Sequence, residues 1–246
     1  FYRIFSFMNV AIDIGNTRAK LAIFKNDHIK ELYVGTFEAI FSSLKKISFS
    51  SGIISNVGNE DYTKRLLSFS SKLFLINHKL KYPIDFKYGS FTSLGVDRIA
   101  NVMGSYSLYP NKENLIIDVG TCITYDYINQ KNEYLGGSIS PGFQLRSNAL
   151  SSYTENLPSL DIKLKQQPLI GENTKSSIES GVINGVIAEI TQITQDYKKF
   201  SPEINVILTG GDTAFIKSMV SIKKNSIFAL ENLTLIGLNA IRKYNI

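Results

Sequence analysis

The stretch VAIDIGNTRAKLAIF at 10–24 constrains this chain most, because it sets a carboxylate, Asp13, inside a run that otherwise reads as a buried strand. A carboxylate taken out of water is costly unless it is paired, hydrogen-bonded or bound to a metal, and the local sequence supplies no such partner. The first arm is continuously apolar, as in an interior strand. A turn follows at Gly15 and Asn16, and the second arm alternates through Ala19, Leu21 and Ile23, so the segment reads as a β-hairpin. NLIIDVGTCITYDYI at 114–128 has the same form: an apolar run, Asp118, Gly120 and Thr121, then an alternating strand with Ile123, Tyr125 and Tyr127 on one face. Asp13 and Asp118 stand 105 positions apart (118 − 13), about the length of one small domain.

The rest of the chain has the composition to surround two such hairpins. It has 246 residues, 43% of them hydrophobic and 20% charged, which admits one large domain or two smaller ones. SGIISNV at 51–57 and KLFLIN at 72–77 read as strands around a helical DYTKRLLSFS, a pattern that favours parallel pairing. SLGVDRIANVMGSYSLY places Ile99, Val102, Met103 and Tyr106 at helical spacing, with Asp97 in the first turn. The longest helical pattern carries a stripe of Ile178, Val182, Val186, Ile190 and Ile193. INVILTGGDTAFIKSMV then reads as strand, glycine loop and helix, and LENLTLIGLNAIRKY as a closing helix. No Pro- or Gly-rich linker divides the halves, so two lobes packed across a cleft are expected. The expected bounds are 8–112 for an N-terminal lobe and 113–246 for a C-terminal lobe. Residues 1–7, ahead of Met8, are expected to be a non-native or disordered extension.

Several classes of function are disfavoured at this stage. The single cysteine, Cys122, cannot make an internal disulfide, and no Cys/His cluster has zinc spacing, so a reducing, cytoplasmic setting is expected. No run approaches the roughly 20 apolar residues of a membrane span. The net charge of +6 is scattered, with pairs at Lys45-Lys46, Lys198-Lys199 and Lys223-Lys224, and an anionic small molecule accounts for it as well as nucleic acid does. The expectation is no nucleic-acid partner and no membrane partner. His28 and His78 lie in polar stretches and read as surface residues.

The chemistry available to the hairpins is phosphate and cation binding. Glycine at a tight turn lets backbone N–H groups approach a phosphate, and Asn16, Thr17, Arg18 and Lys20 add donors around Gly15. Asp13 and Asp118 cannot hold phosphate, but each can hold a cation or its water shell, and phosphoryl transfer from a nucleotide needs Mg²⁺ across the phosphate oxygens. A single Asp-x-Gly is more often an Asx-type turn. The duplication, with a third glycine loop in LTGGDT at 208–213, favours the phosphate reading. Neither a P-loop nor a dinucleotide fingerprint occurs. Asp97 has two readings: a helix cap near 1 kcal/mol, or an ionised carboxylate beside Arg98 that accepts the proton of an attacking hydroxyl. GGSISPG at 136–142 reads as a glycine-rich turn that either presents donors or starts a helix.

Taken in order and spacing, DIGNTRAK, LGVDR, DVGTCITYD, GGSISPG, GENTKSSIESG and LTGGDT resemble the type III pantothenate kinases, within the superfamily that includes acetate and sugar kinases and actin. The resemblance covers nearly the whole chain from Met8. It implies an α/β, two-lobed, duplicated ribonuclease H-like fold of the actin-like ATPase superfamily, with mixed sheets flanked by helices. It implies ATP contacts from Asp13, Ile14, Gly15, Asn16, Thr17, Arg18, Ala19 and Lys20, from Thr121, and from Gly210 and Gly211. Asp13 would also face Mg²⁺ through water, and Asp118 would bind a monovalent cation, K⁺ or NH₄⁺. Tyr88, Gly95, Val96, Asp97, Arg98 and Thr174 would hold pantothenate, with Asp97 as general base and Arg98 on the carboxylate side. A homodimer is implied, and the stripe from Ile178 to Ile193 then reads either as intrachain core or as part of the interface. Two departures from the family pattern are Cys122, where a small residue such as Ala is expected, and the segment 1–7. The alternatives are another small-molecule kinase or phosphatase of the superfamily, or a nucleotide-binding regulatory protein without turnover. An intact LGVDR counts against the last.

Overall fold

The computed structural model describes residues 8–219 and 227–246, so the expected extension at 1–7 lies outside the described residues. The chain divides into two compact units. One comprises residues 8–111, Lys131–Tyr134 and Asn232–Ile246, and the other Lys112–Gln130 and Leu135–Glu231.

The first unit is built on a five-stranded sheet of order β3-β2-β1-β4-β5. Strands β1 (Asn9–Ile14) and β2 (Ala19–Lys25) form the expected antiparallel hairpin, with Asp13 opposite Lys20. Strand β3 (His28–Gly35) extends it through a turn whose two central residues, Asn26 and Asp27, both have positive φ, the backbone that suits a two-residue hairpin. Helix α1 (Phe37–Leu44) follows, capped by Thr36 Oγ1, and turns Phe37, Ile40, Phe41 and Leu44 inward. Strands β4 (Ser51–Asn56) and β5 (Leu73–Leu75), joined by helix α2 (Glu60–Phe69), run parallel to β1. Val10, Ile12, Leu21, Ile23, Ile40, Leu44, Ile54 and Leu66 form the core between sheet and helices. The short strand β6 (Asp85–Phe86) and a 3-10 turn (Phe91–Ser93) lead into helix α3 (Val96–Leu108). Glu133 and Tyr134, which open strand β9 (Glu133–Pro141), pair in parallel with β6.

The unit is completed from the far end of the chain. Helix α7 (Leu233–Tyr244) packs on α3 and β1. The two helices approach so closely that a Cβ on Gly237 would overlap the Ala100 carbonyl, and one on Gly104 would press into Leu233. Buried Arg242 ties α7 to the sheet through Ser51 Oγ at 2.8 Å. The expected C-terminal lobe of 113–246 is therefore corrected. Residues 232–246 and 131–134 cluster with the first unit, because their side chains fill its helix layer and pair with its short strand.

The second unit carries strands in the order β11-β10-β7-β8-β9. Strands β7 (Asn114–Val119) and β8 (Cys122–Ile128) form the second expected hairpin, and β10 (Asn205–Thr209) and β11 (Ile227–Ala229) run parallel to β7. Helix α4 (Phe143–Ser152), helix α5 (Thr174–Phe200) and helix α6 (Thr213–Met219) flank the sheet. The α5 stripe is intrachain core: Ile178, Val182, Val186 and Ile190 are buried against Tyr125, Tyr127 and Ile204, with Ile193 packed partly on the same cluster. GGSIS lies in strand β9 rather than in a turn, because this segment continues the sheet beside β8; only Gly136, at φ 105°, breaks the regular backbone.

The two sheets share one plan. An antiparallel hairpin, β1-β2 or β7-β8, is followed by two parallel strands, β4-β5 or β10-β11.

Candidate active site

In the first unit the site grows from the sheet register. Asp13 lies opposite Lys20 on β2 and Ser55 on β4, so all three side chains fall on one face in one row. Burial pushes the Asp13 carboxyl up to about 6; Ser55 and Lys20 pull against that rise and Asp97 adds to it. The Ser55 hydroxyl is wholly buried. It lies close enough to ease the charge on Asp13, yet it makes no hydrogen bond of regular geometry among the described residues. Beyond Asp13 the chain turns, with Gly15 N–H donating to the Arg18 carbonyl at 3.0 Å, while buried Ile14 and Ala19 anchor the two ends. Asn16, Thr17 and Arg18 are exposed at the tip. Val57 N–H, donating to Ile14 O at 3.0 Å, braces the loop from β4.

The LGVDR segment opens α3 as expected. Gly95 is the N-cap, half-buried Val96 and Asp97 follow, and Arg98 N–H donates to Asp97 Oδ1 at 2.9 Å. A carboxylate there opposes the positive end of the helix dipole. Asp97 and Asp13 are near enough to repel one another. Arg98 is buried, and its Nη2 donates to the Tyr134 hydroxyl at 3.0 Å. The Tyr88 ring sits 5.9 Å from that of Tyr134. The first unit thus brings together Asp13, Lys20, Asp97, Arg98 and Tyr88.

His78 is half-buried rather than a surface residue. Its Nε2 lies 2.8 Å from the Leu94 carbonyl, to which it must donate, and its ring meets Phe91 edge-on at 5.1 Å. His28 is exposed, but it begins β3 rather than sitting in a loop.

The second unit repeats the register. Asp118 lies opposite Thr124 on β8 and buried Thr209 on β10, so each aspartate faces a hydroxyl from the parallel neighbour, Ser55 or Thr209. The loop after Asp118 is closed by Gly120 N–H on Cys122 O at 3.0 Å and braced by Gly142 N–H on Thr121 O at 3.0 Å. Thr121 and Cys122 are exposed. Gly210, at φ 95°, turns β10 back so that Asp212 N–H reaches Val119 O at 3.1 Å; a Cβ there would overlap Asp118 Oδ1 and the Val119 carbonyl. Asp118, Thr121 and Gly210 therefore converge, with Gly211 exposed beside them. Behind them Glu189 accepts from Tyr125 at 2.8 Å, from Ser140 at 2.6 Å and from Arg146. Burial alone would raise this carboxyl, but those three bonds outweigh it and hold the group below its usual range. Thr174 stands exposed in the first turn of α5, and among the described residues no hydrogen bond ties its side chain to either cluster.

Two residues of the first cluster escaped sequence reading. Ser55 carried a signal, a polar residue inside the apolar run GIIS, of the same kind that marked Asp13. Tyr134 carried none, because its role depends on a register between distant segments.

Among the described residues no three His, Cys, Asp or Glu side chains cluster to hold a metal. Mg²⁺ needs no such cluster, since it keeps several waters and is commonly held by one or two carboxylates plus substrate phosphates, and the Asp13 carboxylate fits that role.

The family model of the type III pantothenate kinases matches residues 9–196. This chain belongs to that family. A type III pantothenate kinase of Cytophaga hutchinsonii is 37% identical over 242 residues, 97% of this chain and 100% of that protein. Among solved structures, a Campylobacter jejuni protein assigned to the Baf family of transcriptional activators superposes with a TM-score of 0.61 at 20% identity, covering 95% of this chain and 97% of the other. The activator of 2-hydroxyisocaproyl-CoA dehydratase from Clostridium difficile, with bound ADPNP, gives 0.56 at 15% identity over 96% and 95%. These likenesses show that both proteins share the mixed α/β fold of this chain. Among the described residues no helix is long and apolar enough to cross a membrane.

Proposed function

We infer that this chain transfers the γ-phosphoryl group of ATP to the primary hydroxyl of pantothenate, the first step toward coenzyme A. The observation that carries the reading, beside family membership, is an intact Asp97-Arg98 pair at the start of α3 within electrostatic reach of Asp13.

In this reading Asp97 takes the proton of the attacking hydroxyl. Its backbone-bonded Oδ1 fixes the carboxylate, leaving Oδ2 to face the acceptor. Arg98 holds the carboxylate side of pantothenate, with Tyr88, Gly95, Val96 and Thr174 as further contacts. Residues 13–20 carry the phosphates through the backbone of the Gly15 turn and the donors of Asn16, Thr17, Arg18 and Lys20. Thr121, Gly210 and Gly211 are the further ATP contacts of this reading. Asp13 would hold Mg²⁺ through water, and the ion would supply neutralisation of the phosphate charge. Asp118 would hold K⁺ or NH₄⁺.

We further propose a homodimer. Since the α5 stripe is consumed by the core, the surface offered is the flank of that helix where Ser177, Gly181 and Gly185 line a cavity with exposed Leu169. Light scattering on a sizing column reads its mass. A cytoplasmic location fits a lone free thiol, Cys122, in an ATP-consuming enzyme.

The test is ADP release with ATP, Mg²⁺ and K⁺, with and without pantothenate, repeated with Na⁺ in place of K⁺. Pantothenate-dependent release is expected, weakened in Na⁺. Asp97→Asn is expected to lower kcat by roughly 10²- to 10⁴-fold with nucleotide binding kept. Near wild-type turnover would remove Asp97 as the base.

A further inference from the structure

Arg98 is a buried cation with an unusual partner. A guanidinium keeps its charge in proteins, so burying one demands acceptors whose positions are set beforehand. One acceptor here is the Tyr134 phenol oxygen, 3.0 Å from Nη2, on a side chain with no solvent exposure.

Tyr134 has little freedom to move. Its backbone is pinned to β6, with Phe86 opposite it in register and Lys87 N–H donating to its carbonyl at 2.9 Å. Its ring lies 5.5 Å from Phe86, which lies tilted against Phe91 at 4.5 Å, and Tyr82 and His78 meet Phe91 edge-on. These rings form a continuous aromatic support that runs from Tyr134 to the turn just ahead of Leu94 and Gly95. Tyr88 leans on the same phenol ring. Two of the proposed pantothenate contacts, Arg98 and Tyr88, therefore take their positions from one residue that lies in neither LGVDR nor any other motif read as functional.

We propose that Tyr134 is a positioning residue of the acceptor site: its phenol oxygen fixes the guanidinium of Arg98 so that the acceptor's carboxylate meets a charge already in place. The proposal rests on the reading that Arg98 serves the carboxylate side of pantothenate. Preorganisation of this kind lowers the ordering cost of binding and shows in acceptor affinity rather than in the chemical step.

The test is Tyr134→Phe, which removes one oxygen and keeps the ring. Steady-state kinetics are run with pantothenate and with pantothenol, whose alcohol replaces the carboxylate. The expected result is a KM for pantothenate raised about 10- to 100-fold, the scale of one hydrogen bond to a charged group. In the same variant kcat, the KM for ATP and the KM for pantothenol should stay within about threefold, inside the scatter of a merely structural effect. Equal rises for both acceptors, or no rise for pantothenate, would overturn the proposal. Wild-type enzyme that turns over pantothenate but does not prefer it to pantothenol overturns the Arg98 reading and the proposal with it, whereas wild-type enzyme inert toward both overturns the assigned reaction. Should the variant fold poorly, Tyr134→Phe is added to Arg98→Ala, which already lacks the guanidinium. The proposal then expects no further loss for pantothenate, and full additivity of the two effects refutes it.

Discussion

Asp13→Asn should make the ligand-free protein more stable at neutral pH while abolishing its use of Mg²⁺ and ATP. Burial raises the Asp13 carboxyl from 3.8 to about 6. Converted at 1.36 kcal/mol per tenfold change, that is a penalty of about 3 kcal/mol on the ionised folded form. The sign follows from proton counting. Below pH 3.8 both folded and unfolded chains hold the proton and there is no penalty. As pH rises toward 6 the unfolded chain ionises first, the folded chain holds more protons, and stability falls. Above that value the full penalty applies. Asparagine has no such titration, so the stability gap between variant and wild type should widen by about 2 kcal/mol from pH 4.5 to pH 8. Urea melts of both proteins in chelator, read by circular dichroism at the two pH values, measure that gap. A gap that stays constant with pH would refute the claim that burial destabilises this carboxylate. Adding Mg²⁺ and a non-hydrolysable ATP analogue should then raise the wild-type midpoint and leave that of the variant in place.

Other consequences are equally direct. Gly237→Ala drives a methyl into the Ala100 carbonyl and should cost about 3 kcal/mol or more, seen as a lowered urea midpoint, with ADP release retained by whatever protein stays folded. Gly210→Ala combines a positive φ with overlap on Asp118 Oδ1. It should cost about 1–3 kcal/mol in stability and also blunt activation by K⁺ in the ADP-release assay, whereas stability loss with an unchanged K⁺ response would detach Gly210 from the proposed cation site.

What could be read from the chain was local. Both Asp-x-Gly hairpins, the first turn of α3 around Asp97 and the α5 stripe follow from patterns of a few residues, and polar groups stranded in apolar runs marked Asp13 and Asp118. Strand β3 was missed because its residues are mostly exposed and carry no buried face to set a period. Helix α1 was also passed over, although Thr36 and the apolar spacing from Phe37 to Leu44 mark it in retrospect. Two features depend on partners far apart in sequence: the docking of α7 on α3, and the bond from Arg98 to Tyr134. No local window contains both halves of such a pair. His78 illustrates the same limit, since its partner, the Leu94 carbonyl, leaves no mark in the residues around the histidine.

The return of residues 232–246 to the first unit has a consequence for how the chain is made. During synthesis, every residue of the second unit has been added once Glu231 is in place. The first unit began earlier but still lacks the helix whose Gly237 fits against Ala100 and whose Arg242 reaches Ser51. Domains commonly fold in the order in which they are translated. Here the unit translated first is the one that must wait, and the hairpin bearing Asp13 and the helix bearing Asp97 gain their full support only when the last turns of α7 arrive.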